Sequence, residues 1–274
     1  MTITNLRKAL TQADRKGSAL VGFVVQGWED ARAFARAGSE LKKPVVLQAG
    51  PGCRKNTPLP VLAKMFRILG DSSDYDVIPH LDHALDIETC HAALDEGFTS
   101  VMFDGSQLNL SENIKQTYAV CKLAERYDAS VEAEIGFVGY TTNIKNIPTI
   151  PEEAKKLVSE TEISALAVSV GNTHLQLEKN AIIDYGVLMK INEMTPIPLV
   201  IHGASSISKE DKAKMKKFFG VKKFNVGTEI RQKFGKSLRK TLKENKNEFD
   251  RIKIFDLVEK DLLREAKILL EEIS

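Results

Sequence analysis

The chain has 274 residues, with 39 Lys and Arg against 37 Asp and Glu, for a formal net charge of +2. That length suits one large domain with a full core, and the near balance of charge gives no reason to expect nucleic acid or an acidic membrane surface as a partner. No apolar run approaches the roughly 20 residues of a membrane helix, and the three cysteines, Cys53, Cys90 and Cys121, lack metal-ligand spacing and fit reduced thiols in a cytoplasmic protein.

The first stretch, MTITNLRKALTQADRKG, has no signal-peptide core and reads as an amphipathic helix. From residue 19 onward, short apolar, β-branched runs alternate with longer amphipathic stretches. Strands are expected over 19–25, 44–49, 76–82, 99–104, 130–136, 163–171, 197–203 and 222–227. Each is short, apolar and bounded by Gly, Pro or polar clusters, as buried parallel strands are. Residues 112–127 and 151–160 read as intervening helices. The second carries Pro151 in its first turn, with acidic residues behind it where the helix dipole favours them. The tail over 249–274 is a further amphipathic helix, suited to covering the barrel or meeting another subunit. Eight strands alternating with helices imply an α/β protein, a (β/α)₈ TIM barrel over 1–274 as a single domain. The rival, an open doubly wound sheet, usually has fewer strands, and no Gly-rich dinucleotide fingerprint follows the first strand here.

Polar residues collect at the C-terminal ends of these strands: Gln48, the Asp82–His83 pair, Asp104, Glu132 with Glu134, His202 and Asn225. In a barrel the loops at those ends form the catalytic face. Of the five histidines, at 80, 83, 91, 174 and 202, three fall at or just after the ends of strands 3, 6 and 7. A lone histidine is more often structural than a ligand. Three together read as neutral imidazoles around an open fourth position, the pattern of a catalytic zinc. His80 is read as a barrel-interior residue, and His91 as part of a helix. A Schiff-base mechanism needs a desolvated lysine at a strand end, whereas Lys222 and Lys223 open strand 8 at the opposite end.

The segment PHLDHALDIETC resembles the HLDH signature of the class II, metal-dependent fructose- and tagatose-bisphosphate aldolases. FTSVMFDGSQLNLSENI, SVEAEIG, ISALAVSVGNTH, IPLVIHGAS and KKFNVGTEIRQKF follow in the family's order, up to about residue 240. The resemblance implies that His83, His174 and His202 hold one catalytic Zn²⁺ per subunit. It implies Asp82 as the acid/base at the hydroxyl beside the scissile bond, and Asp104 and Glu134 as acidic neighbours or a second metal position. Gly203, Ala204 and Ser205, with Asn225, Val226, Gly227 and Thr228, would hold the phosphate and triose end of a sugar phosphate. The resemblance also admits a monovalent cation and implies a glycolysis-type carbohydrate lyase that yields dihydroxyacetone phosphate. Its expected assembly is a homodimer or homotetramer.

The departures fall on the substrate side. The family's Asn-rich first-strand end is Phe23-Val24-Val25-Gln26-Gly27 here, and Gly50 stands where Ser or Thr is usual. Leu175 and Glu178 replace a glycine and a phosphate-side lysine. The loop Val138-Gly139-Tyr140-Thr141-Thr142-Asn143 lacks the carboxylate of the family's GGxED segment, which leaves Tyr140 as the candidate replacement acid. Asp250-Arg251 resembles a family segment whose arginine reaches the far phosphate of a neighbouring subunit's substrate; an exposed charged pair at a helix start is the simpler reading. Three functions compete: an aldolase of altered ketose phosphate, an ordinary bisphosphate aldolase with compensated contacts, and a homologue that binds metal and sugar phosphate without aldolase activity. Asp82 argues against the last, since a binding protein has no use for a general base.

Overall fold

The computed structural model describes residues 2–139, 146–174 and 181–274. The chain runs α1 (Leu6–Arg15), β1 (Leu20–Val24), α2 (Trp28–Leu41), β2 (Val45–Ala49), α3 (Pro51–Asn56), α4 (Leu59–Asp71), β3 (Val77–Ala84), α5 (Ile87–Asp95), β4 (Ser100–Phe103) and α6 (Leu110–Glu125). It continues with β5 (Ser130–Ile135), α7 (Pro151–Glu160), β6 (Ala165–Val168), α8 (Tyr185–Met194), β7 (Leu199–Ile201), α9 (Lys209–Phe218), β8 (Val221–Val226), α10 (Thr228–Glu244) and α11 (Arg251–Ile273). The strands pair in parallel in sequence order, and β1 closes on β8: a (β/α)₈ TIM barrel. No helix among the described residues is long and apolar enough to cross a membrane.

Alternation along each strand sorts the side chains into two regions. Outward residues such as Phe23, Leu47, Leu81, Phe103, Val168 and Ile201 join the apolar layer beneath the surrounding helices. Inward residues near the strand starts, including Leu20, Val46, Ile78, Met102 and Val200, pack instead with Leu6, Ala9, Leu10 and Ala13 of α1. These α1 residues sit at helical spacing on one face, so α1 plugs the N-terminal end of the barrel. Asn5 caps the plug by accepting from the Lys8 N–H at 3.0 Å. The final helix covers the outside of the barrel against α2 and α10. Lys43 anchors the end of α11 by donating to the carbonyls of Leu270 and Ser274, at 2.9 and 2.6 Å.

Above the plug the inward positions turn polar, with Gln48, His80, Glu132 and Lys223 fully buried. Gly22 makes room for them: a Cβ there would lie 1.7 Å from Gln48 Oε1 and 2.7 Å from Asn225 Oδ1. Lys222 and Lys223 stand near the start of β8 and point apart. Lys222 reaches Asp14 of the plug at 2.9 Å, while Lys223 enters the interior and meets Glu132 at 2.8 Å, because successive strand residues face opposite ways. The sixth strand is shorter than the apolar run 163–171. Ser169 turns from the ladder to bond Thr149, accepting its N–H at 2.9 Å and donating its own to Thr149 Oγ1 at 2.8 Å. The third strand runs two residues past 82, because Asp104 N–H donates to Ala84 O at 2.7 Å.

Candidate metal centre and substrate cavity

In a regular strand Asp82 and His83 would face opposite ways. Here the β3–β4 register shifts between Leu81 and Ala84, and His83 has a φ of 50°, a left-handed backbone rare outside glycine. The bulge turns both side chains toward the barrel mouth. Such a conformation costs on the order of 1–3 kcal/mol and persists only where its surroundings enforce it. Arg54 of α3 enforces it. Its Nη1 donates to the carbonyls of Ala49 and Asp82, both at 2.5 Å, and its Nη2 to that of His83 at 3.0 Å. Charged donors to buried carbonyls are worth about 1.5–3 kcal/mol. Arg54→Met is therefore expected to lower unfolding free energy by about 2–3 kcal/mol, read as a lower denaturant midpoint; an unchanged midpoint would show that the bulge holds without the clamp.

Three imidazoles converge at the C-terminal mouth. The ring of His83 lies 5.3 Å from that of His174 and 4.7 Å from that of His202, and the last two are 5.7 Å apart, centre to centre. One nitrogen from each falls within 4.8 Å of the others. His174 reaches the group from the loop after β6. Its backbone N–H donates to Gly139 O at 3.0 Å, while Asn146 donates to the carbonyl of Asn172 and to Thr173 Oγ1. Asn172 in turn donates to His202 O at 3.0 Å, tying that loop to the end of β7.

The outer nitrogens of two of these rings are committed. His83 Nδ1 lies 2.7 Å from Asp104 Oδ2, and His202 Nε2 lies 3.0 Å from Glu132 Oε1. Their other nitrogens, His83 Nε2 and His202 Nδ1, are buried and lack a hydrogen-bond partner. Buried polar atoms are seldom left so; His202 Nδ1 has Glu134 Oε2 at 3.4 Å, and imidazole nitrogens gathered without hydrogen bonds suit a borderline-soft divalent ion. His83, Asp104 and Glu134 form a second group of potential ligands that shares His83.

Burial opposes a charge on His83, yet Asp82, Asp104 and Glu134 outweigh it and raise its pKa to about 10. Burial lowers His174 well below 6.5 and also lowers His202. Burial, helped by the Asp104 charge, lifts Glu134 to about 8. For Asp104, burial would raise the carboxyl, but the His83 hydrogen bond and charge and two bonds from Ser106 hold it well below the usual carboxylate range. Burial likewise opposes ionisation of Asp82, and the surrounding histidines and Lys223 overcome it, so its pKa is lowered. Gln48 Nε2 donates to Asp82 Oδ1 at 2.7 Å.

A cavity of about 200 Å³ opens beside this group, lined by Asp82, His83, His174, Gly203, Asn225 and Thr228 among others. Gly203 has a φ of 63°, and a Cβ on it would lie 2.3 Å from Thr173 O, so both the turn and the close approach require glycine. Ser205 Oγ accepts the Glu229 N–H at 3.2 Å, joining the turn after β7 to the first turn of α10. Gly227 also lines the cavity, whereas Ala204 and Val226 are wholly buried in the apolar layer and do not line it. Asn225 Oδ1 is buried without a partner.

Arg251 is not brought to this cavity. It opens α11 with a 77% exposed side chain, stacks on Phe255 and lies 3.8 Å from Glu29. Tyr140, Leu175 and Glu178 lie outside the described residues. Sequence reasoning passed over Arg54, which stabilises the bulge, and Arg231, which lines the cavity. Arg231 stands three residues after Thr228, one turn along α10, and that spacing was the only available signal. His80 is a barrel-interior residue, as expected; its Nδ1 lies 2.8 Å from Ser100 Oγ.

The family model for class II fructose-bisphosphate aldolase matches residues 4–273. The chain is 31% identical over 251 residues to the D-tagatose-1,6-bisphosphate aldolase subunit GatY of Klebsiella oxytoca, covering 89% of this chain and 88% of that one. Among solved structures it is similar to the YdjI aldolase of Escherichia coli K12, with a TM-score of 0.85, 26% identity, and 99% and 97% of the two chains covered. It also shares its fold with the fructose-bisphosphate aldolase of Campylobacter jejuni, with a TM-score of 0.84, 22% identity, and 99% and 95% covered.

Proposed function

Because the chain belongs to the class II fructose-bisphosphate aldolase family, we propose that it is a zinc-dependent lyase that cleaves or forms a carbon–carbon bond in a ketose phosphate or bisphosphate, with dihydroxyacetone phosphate as the triose product or donor. The observation that carries this reading is the meeting of His83, His174 and Asp82 in one cavity with Gly203, Asn225 and Thr228, above His202. His83, His174 and His202 would hold the zinc, which supplies Lewis acidity toward the ketone, worth several kcal/mol as carbanion character develops.

The remaining work falls to the chain's own groups. Asp82 is a carboxylate held by Gln48, and it accepts the proton of the hydroxyl that becomes the aldehyde. The Gly203–Ser205 turn and the first turn of α10 offer main-chain N–H groups to a phosphate at the position where this fold commonly binds one. Asp82 and His202 are almost wholly buried, which limits competition from water at these two groups. Tyr140 is our candidate for the second proton transfer. If it serves, exchange of the triose-phosphate proton with solvent is fast and slows in Tyr140→Phe; fast exchange in that variant removes it from the role. Exposed Phe249 and Ile252, at 93% and 72%, support assembly as a homodimer or homotetramer.

Purified protein with zinc, assayed against a panel of ketose mono- and bisphosphates, tests the reading. Cleavage of at least one member is expected, with chelation abolishing it and zinc restoring it. Failure on the whole panel would favour a homologue that binds metal and sugar phosphate without aldolase activity. A second test uses the charge on His83. Ligand imidazoles must be neutral, and His83, with a pKa of about 10, is protonated at neutral pH without metal. Zinc uptake is thus expected to release at least one proton per ion, and affinity to rise with pH in the range below that pKa. Calorimetry in two buffers of different ionisation heat counts the protons; uptake with none released would show that His83 is already neutral before the metal binds.

A further inference from the structure

Below the three imidazoles lies a buried pair that the reaction itself does not use. Glu132 on β5 and Lys223 on β8 stand three strands apart in the ring, and their side chains meet across the barrel interior at 2.8 Å. Both are fully buried, as is His202. The two oxygens of Glu132 are divided between two partners: Oε2 takes Lys223 Nζ, and Oε1 lies 3.0 Å from His202 Nε2. His80, the other imidazole nearby, is 3.9 Å from Oε2, and its Nδ1 is engaged by Ser100.

We propose that the Glu132–Lys223 pair is a positioning device for the metal centre, fixing His202 in the tautomer and ring orientation that present Nδ1 to the metal. The inference rests on the zinc reading above. An ionised carboxylate can only accept, so the bond to Glu132 places the imidazole hydrogen on Nε2. In a neutral ring that leaves the lone pair on Nδ1, the buried atom without a hydrogen-bond partner. Lys223, by holding the second oxygen, stops the carboxylate from rotating away from His202. A carboxylate behind a ligand histidine also raises its basicity, and removing such a partner typically weakens metal binding by about 10–100-fold. Stability alone gives little reason for the pair, because a well-packed apolar replacement of a buried ion pair is often neutral or stabilising.

The test compares Glu132→Gln/Lys223→Met with Glu132→Leu/Lys223→Met, so that neither variant leaves one buried charge alone. Zinc affinity is measured by chelator competition, and folding by circular dichroism. The Gln variant keeps an acceptor for Nε2–H but loses the charge, and should bind about 10-fold more weakly. The Leu variant keeps neither and should lose about 100-fold, with an altered absorption spectrum after cobalt substitution. Both folded variants binding within twofold of wild type would overturn the proposal. A measurement without substitutions decides it if they do not fold. In the wild type loaded with cadmium-113 and nitrogen-15 histidine, metal coupling should appear at Nδ1 of His202; coupling at Nε2 would overturn the proposal. A wild type that takes up no zinc would overturn the proposed function and this inference together. Normal uptake that is indifferent to the pair would overturn this inference alone.

Discussion

Asp82→Ala should leave the zinc in place and remove the turnover. Asp82 lies outside both groups of potential ligands, although it adjoins His83 in the chain. Its Oδ1 is engaged by Gln48 Nε2 at 2.7 Å, while Oδ2 would stand 3.4 Å from a Cβ on Gly50, on the wall of the cavity. The surrounding positive charges keep the carboxylate ionised despite burial, so it is ready to accept a proton at neutral pH. Losing a positioned general base costs about 10²–10⁴-fold. The loss should appear about equally in kcat and kcat/KM, because the interaction develops only in the transition state. Zinc content by metal analysis should match the wild type, and binding of dihydroxyacetone phosphate should persist through the Gly203–Ser205 and Asn225–Thr228 segments. Undiminished cleavage by the folded variant would assign the base to another group. Loss of zinc together with turnover would show instead that Asp82 supports the metal.

His202→Ala should have the larger effect on the metal itself: zinc retention abolished, turnover at background, and the chain still folded. His202 is fully buried, and its Nδ1, without a hydrogen bond and 3.4 Å from Glu134 Oε2, lies among the other two imidazoles. Removing the ring leaves two imidazoles, where a catalytic zinc commonly takes three protein ligands. The fold survives because its stability is distributed through the apolar layer outside the barrel and the α1 plug inside it. A buried truncation of this kind costs about 1–3 kcal/mol, and Glu132 keeps Lys223 as its partner. Metal analysis after dialysis is the readout. Unchanged zinc content in His202→Ala would falsify the three-histidine site, whatever the activity showed.

The strand-end residues could be chosen from the sequence because each stands at the close of an apolar run, where a polar side chain has no place in a packed core. That reasoning reached Asp82, His83, Asp104, Glu134, His202 and Asn225. It could not explain how Asp82 and His83 both serve, since adjacent strand residues diverge. The answer is the left-handed turn at His83 and the three carbonyls held by Arg54, a residue that no strand-end pattern marks. Nor could it pair Glu132 with Lys223. Ninety-one residues separate them, and only the closing of the ring brings β5 opposite β8. Arg251 opens α11 with an exposed side chain near Glu29, the exposed charged position that the sequence favoured.

The sequence by itself determined the (β/α)₈ order, because buried parallel strands must be short and apolar and the connections between them amphipathic helices. It also pointed to the end of the barrel where the three imidazoles meet, because His83, Asp104, Glu134 and His202 stand at or beyond the close of apolar runs. Hydrogen-bond partners were decided only by the tertiary structure. Which nitrogen of His202 makes no hydrogen bond, which carboxylate backs the ring and which lysine meets that carboxylate depend on approaches of about 3 Å between strands distant in the chain. Such distances follow from barrel closure and register, which local residue patterns do not contain.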